Sequence, residues 1–201
     1  MLAFEKEFLR WMLSDGGAAL LLQNQPRDNA LSLHIDWIEI TSYAHKMETC
    51  MYAGSEKRED GSIDGWTMFP ETEWLTKSLF SIKQDTRLLG ENIIPLGLSF
   101  LMELTQKRKL KAADIDWFLP HLSSVFFKEQ IMSELRKNDF FIPEEKWFIN
   151  LSTIGNIGSA SPFAMVEELL LSGKLKKGEK LLLMIPESAR FSYSYCMLTV
   201  C

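Results

Sequence analysis

His121 and Asn156 are the residues of this chain whose settings could do chemistry. His121 closes the apolar run Trp117-Phe118-Leu119-Pro120. The fixed φ of proline stiffens the backbone just before the imidazole. Asn156 lies in Ile154-Gly155-Asn156-Ile157-Gly158-Ser159-Ala160-Ser161. Gly155 and Gly158 permit a tight loop with close backbone approach there. The loop feeds a helix, whose N-terminal dipole favours negative charge. An imidazole and a carboxamide are hydrogen-bonding groups, and rigid placement is what would make them useful at a site. Taken singly, each also fits a structural role: a core histidine after proline, and a turn asparagine tolerating αL.

Other chemistries find less support. Gly155–Gly158 lacks the lysine and spacing of a phosphate loop. Ser159 and Ser161 do not sit in a Gly-x-Ser-x-Gly elbow, which argues against serine hydrolysis. Cys50, Cys196 and Cys201 are an odd set without metal-ligand spacing. Cys50, in Glu48-Thr49-Cys50-Met51-Tyr52, has no helix start to lower its pKa and reads as a structural thiol. Cys196 alternates within the last strand and reads as core. His34 and His45 have no partner motif and read as structural or exposed.

The elements that must position these residues follow an α/β pattern. The 201 residues are 46% hydrophobic and 24% charged, enough for a sizeable core. A buried strand is expected at 18–23 and a second at 31–41, where apolar and polar residues partly alternate. Residues 53–72 read as a long exposed loop, and a loop of about twenty residues suggests a functional or interface insertion. Leu88 to Leu104 carry a broad apolar face, predicting a well-buried helix. Short strands are expected at 117–120 and 147–150, with an amphipathic helix over 123–137 between them. A helix from Pro162 to Leu171 starts on a favourable proline and stops at Gly173. Two strands, 180–186 and 191–200, close the chain.

The net charge of -5 and pI near 5.3 argue against broad nucleic-acid binding. No run of about 18 apolar residues predicts a membrane span. The charged start, Met1 to Glu7, does not read as a signal peptide. Reduced thiols and a cytoplasmic location are the simplest expectation. The chain has little lead-in before Leu9-Arg10-Trp11-Met12-Leu13, as expected of a sequence that starts within a larger fold.

Three segments together resemble one family, the 3-oxoacyl-[acyl-carrier-protein] synthase III enzymes of the thiolase superfamily. Asp114 to His121 resembles the strand and turn that deliver the family's catalytic histidine. Ile154 to Ser161 resembles the loop that delivers its catalytic asparagine. Lys174 to Val200 resembles its closing strand pair, and Leu13 to Ala19 resembles the end of its amino-terminal half. The resemblance implies an α/β thiolase-like fold: a carboxy-terminal βαβαβαββ half with a short segment of the amino-terminal half. Residues 1–50 would be that residual end, 51–80 an exposed insertion, and 81–201 the synthase III domain.

It also implies a decarboxylative Claisen condensation of an acyl thioester with malonyl on acyl carrier protein, with His121 Nε2–H and the Asn156 amide as donors to the enolate oxygen. The family's nucleophilic cysteine lies upstream of the Ser14-Asp15-Gly16 segment, so the chain alone is expected to be inert. No cofactor is expected, since the substrates ride on CoA or carrier-protein phosphopantetheine. Acyl carrier protein and acyl-CoA or acyl-ACP are the expected partners. Homodimerisation, or association with the remaining half, would cover exposed apolar surface.

Two stretches depart from the family pattern. After the histidine, typical members read Gln-Ala-Asn, and here stand Leu122-Ser123-Ser124. Ser124 therefore replaces an asparagine that holds pantetheine. The Gly-rich loop before the last strand is replaced by Pro186-Glu187-Ser188-Ala189-Arg190-Phe191-Ser192. Ser188, Ala189 and Phe191 would then reshape the acyl pocket. This variant resembles ketosynthases of dialkylresorcinol and aryl-polyene pigment pathways. Acyl carrier protein is acidic and calls for a basic dock. Lys128, Arg136 and Lys137 are the candidates, with Lys107–Lys111 and Lys174–Lys180 as alternatives. A non-catalytic partner subunit is the competing reading, though it would have no need of both His121 and Asn156.

Overall fold

A computed structural model describes residues 9–201. Strand β1 (Leu33–Ser42), β2 (Trp117–Pro120), β3 (Lys180–Glu187) and β4 (Ser192–Val200) form one mixed sheet in the order β1-β4-β3-β2. Only β2 and β3 run parallel; β4 is antiparallel to both of its neighbours. Successive strand side chains must point to opposite faces, and this sequence uses both. Phe118, Leu182, Met184, Tyr193, Tyr195 and Met197 face one core, together with helices α1 (Thr86–Arg108) and α2 (Phe126–Lys137). Leu119, Leu181, Leu183, Cys196 and Leu198 face the other, together with helix α3 (Ser161–Leu171). Three layers result, with the sheet in the middle.

Asp85 starts α1 by accepting a hydrogen bond from the Leu88 N–H at 2.9 Å. By length and mean hydropathy, 1.2 over its most apolar window, α1 could cross a membrane. Its packing is that of a core helix: Leu89, Ile93, Ile94, Leu98, Leu101 and Leu104 are buried against the sheet side. Tyr193 and Tyr195 on β4 donate their hydroxyls to the α1 carbonyls of Ile93 and Gly97, at 2.8 and 3.0 Å. Gly97 makes this approach possible, since a Cβ there would lie 2.8 Å from the Tyr193 ring.

The observed order, β1-α1-β2-α2-α3-β3-β4, keeps the expected βαβαβαββ succession except at its third strand. Residues 147–150 pair with β2 only through a single Phe118–Trp147 bridge, with Phe148 N–H donating to Phe118 at 2.9 Å. A 3-10 turn at Glu144–Lys146 and a helical turn at Leu151–Ile154 leave little extended backbone between them.

Two further expectations need correction. Residues 18–23 are not a buried strand; they lie outside the sheet, with Leu20, Leu21 and Leu22 exposed. Apolarity alone suggested burial there, but no strand edge pairs with them. Residues 53–72 are not a plain loop. Ser55–Lys57 and Ile63–Gly65 form an antiparallel pair, and Trp66, Trp74 and Phe80 pack ring edge to ring face. The Lys83 ammonium is buried beneath this pair, donating to the Ser55 carbonyl at 2.8 Å and to Glu56. These ties are long-range, so local composition gave no sign of them.

Candidate active site

His121 is the first residue past β2. Its N–H donates to the Met184 carbonyl at 2.8 Å, so the parallel ladder with β3 runs one residue beyond Pro120 and fixes the backbone beneath the imidazole. The ring is buried, only 8% of His121 being exposed. Burial disfavours the charged form and pulls its pKa from 6.5 down to about 4. The imidazole is therefore neutral at pH 7, a hydrogen-bond donor and not a cation.

Gly155 places Asn156. It has φ +84° and ψ −176°, a conformation essentially restricted to glycine. A Cβ at Gly155 would also lie 2.2 Å from Ser14 Oγ. That crowding has a purpose: the Ser14 N–H donates to the Asn156 carbonyl at 2.9 Å and pins the loop from the amino-terminal side. Asn156 Oδ1 accepts from the Gly158 N–H at 3.2 Å. With its oxygen so engaged, the carboxamide offers its NH2 end as the donor. His121, Gly155 and Ser161 line one small cavity of about 10 Å³, and Asn156 follows Gly155 directly. The structure thus brings the histidine turn and the asparagine loop together at the end of the β2–β3 pair.

Burial works against activation of the two buried cysteines. Cys50 is fully buried, donates Sγ–H to the Asp85 carbonyl at 3.4 Å, and has its pKa pushed up by burial to about 12. Cys196 is pushed up to about 11, again by burial. Cys201 approaches the Thr199 carbonyl at 3.7 Å, at the chain end.

The remaining candidates fall elsewhere. Ser124 Oγ accepts from the Phe126 N–H at 3.2 Å, in the turn that leads into α2. Ser188 Oγ accepts from Gln84 Nε2 at 3.2 Å, and the Ala189 carbonyl from the Cys50 N–H at 2.8 Å. The Glu187 carboxylate closes this turn by accepting from the N–H groups of Ala189 and Arg190. The Phe191 ring is fully buried in the α1-side core and does not line the His121 cavity. Its φ of +54° is rare for a bulky residue and stands where a glycine would be at ease. Lys128 pairs with Glu144 and Lys137 with Glu134, while the Arg136 guanidinium lies 4.8 Å from the Phe141 ring centre. Sequence reasoning missed Asn150, whose Nδ2 donates to Glu168 on α3 at 2.9 Å and ties the cavity wall to that helix. It also missed any role for Ser161. No local motif marks either one.

Solved structures of similar shape include a 3-oxoacyl-ACP synthase III and OleA. The synthase III of Thermus thermophilus superposes with a TM-score of 0.60 at 16% identity, covering 87% of this chain and 48% of that one. Xanthomonas campestris OleA, solved with bound lauric acid and lauroyl-CoA, gives 0.59 at 20% identity, covering 84% and 41%. These likenesses define the fold class, which is thiolase-like.

Residues 105–185, which hold both His121 and Asn156, match the family described as 3-oxoacyl-[acyl-carrier-protein (ACP)] synthase III C terminal. The beta-ketoacyl-[acyl-carrier-protein] synthase III of Syntrophomonas wolfei is 30% identical over 137 residues, 67% of this chain and 39% of that protein. That of Microcystis aeruginosa is 25% identical over 179 residues, 84% and 46%. Over these residues the chain is similar to the carboxy-terminal portion of beta-ketoacyl-ACP synthase III proteins, and it spans less than half the length of these relatives.

Proposed function

We propose that the chain supplies the oxyanion-stabilising half of a decarboxylative condensing site. The observation that carries this reading is the neutral, buried imidazole of His121 set beside the pinned Asn156 loop. In the proposed reaction, the C–C bond to the malonyl carboxylate breaks and CO2 leaves. The electron pair passes into the thioester as an enolate, whose oxygen accepts hydrogen bonds from His121 and Asn156. The enolate carbon then bonds to an acyl thioester carbonyl, and the cysteine thiolate leaves. Burial holds Cys50 and Cys196 in the thiol form, so neither is offered as that thiolate, and the reading takes it from a cysteine of the whole enzyme. The substrates carry their own activation as thioesters, so the reading requires no cofactor. A cytoplasmic setting suits carrier-bound substrates.

We further assign the carrier-protein dock to the α2 face bearing Lys128, Arg136 and Lys137. The test uses the whole enzyme with acyl-CoA and malonyl-ACP. We expect a 3-oxoacyl-ACP product, and charge reversal at those three positions should raise KM for the carrier with kcat retained. Absence of condensation, or acylation and turnover on a cysteine of the 201-residue chain alone, overturns the reading. An unchanged KM removes α2 as the dock.

Association is part of the same proposal. Ile38 and Ile40 on edge strand β1 are exposed, 53% and 71%, alongside the exposed Leu20–Leu22 run. Apolar surface of this kind, on an unpaired strand edge, favours burial against another polypeptide. Light scattering of the isolated chain should give a mass above 23.2 kDa; a strictly monomeric species argues against it.

A further inference from the structure

His121 Nδ1 and Ser161 Oγ share an unusual condition. Each is buried without a hydrogen-bond partner among the described residues. Buried polar side-chain atoms are overwhelmingly paired, so two such atoms at one place call for an explanation. Both residues line the same cavity of about 10 Å³. That is close to the least space that holds one water molecule. Most of the remaining wall is apolar, from Pro120, Leu122, Ile149, Leu151 and Met165. The other polar side chain on it, Asn150, is already committed to Glu168.

We infer that this cavity holds one ordered water, bonded to Ser161 Oγ and donating to His121 Nδ1, which makes Ser161 a positioning residue for the imidazole. The inference rests on the reading of His121 as a neutral donor through Nε2 and adds what holds its other nitrogen. A neutral imidazole carries one N–H, and the bond made by one nitrogen decides the role of the other. With Nδ1 accepting from the water, the proton resides on Nε2. The ring then turns its only donor away from the cavity, and its plane is fixed by a contact on the far side. Ser161 opens α3 directly after the Asn156 loop, so the same short segment places both donors.

The test is histidine-selective 15N NMR of the 201-residue chain at neutral pH. His34 and His45, lying outside this cavity, serve as internal references. We expect His121 to show an Nε2–H tautomer, a hydrogen-bonded Nδ1, and a cross-relaxation signal from a ring proton to a long-lived water. Ser161→Ala should shift Nδ1 toward the unbonded position and remove the water signal; Ser161→Thr, which keeps the hydroxyl, should restore both. A proton on Nδ1 in the unaltered chain, or no water signal there, overturns the inference without any variant. So does an unchanged His121 pattern in folded Ser161→Ala. Condensation is not read in this experiment, so a failure of the proposed reaction would leave the tautomer result standing, and the reverse also holds.

Discussion

Replacing His121 by alanine in the whole enzyme is expected to slow malonyl-thioester decarboxylation about 100–1000-fold, the usual cost of removing one preorganised oxyanion donor. The loss should fall on kcat with little change in KM, because the hydrogen bond strengthens only as charge develops on the enolate oxygen. Asn156→Ala should cost a similar factor. The double variant should lose less than the product of the two, since both donors serve one oxygen. The ring is neutral, so its contribution is donation, and His121→Gln should keep part of the rate. Acyl transfer to the nucleophilic cysteine is a separate step, and a burst of acyl-enzyme should persist in both alanine variants. Single-turnover assays with malonyl-ACP separate the two steps. Decarboxylation within a few-fold of the parent in His121→Ala would remove the imidazole from this role.

What singled out His121 and Asn156 was the resemblance of two short segments. Pro120 before the imidazole and glycines around the asparagine are backbone requirements written into a few consecutive residues. The structure gives each a reason: the ladder bond from His121 to Met184, and the crossing of Gly155 over Ser14. The layer order was legible for a similar reason, since alternation in β3 and β4 sends Leu182 and Leu183 to opposite cores. What stayed hidden depends on distant partners. The buried Lys83 needs Ser55 and Glu56 to make sense, and the hairpin above it shows no apolar pattern. The 18–23 run shows the opposite failure, an apolar string with no edge to join. The setting of Phe191 was hidden for a third reason: its ring is drawn into the main core at the expense of a left-handed backbone, which the sequence of its loop does not show.

The same burial that keeps His121 neutral must make the chain sensitive to acid. Its pKa is lowered from 6.5 to about 4, so between these values the unfolded chain binds a proton that the folded chain refuses. Stability therefore rises with pH across that window and falls as pH drops through it. At about 1.4 kcal/mol per unit, the full shift corresponds to roughly 3 kcal/mol lost between pH 7 and pH 4, an upper figure for this one group. Carboxylates complicate the raw curve. Asp85, whose pKa is held below the usual carboxylate range chiefly by the Leu88 N–H and Lys57, also loses its stabilising contribution as pH falls. A comparison removes this background. His121→Gln keeps a polar side chain of similar length and does not titrate, and Asp85 is common to both proteins. Urea unfolding at a series of pH values should show the parent losing up to about 3 kcal/mol more than His121→Gln on going from pH 7 to pH 4. Equal losses would mean that the imidazole is hydrated and free to charge in the folded state. A site built on a neutral donor would then have to work without one at mildly acidic pH.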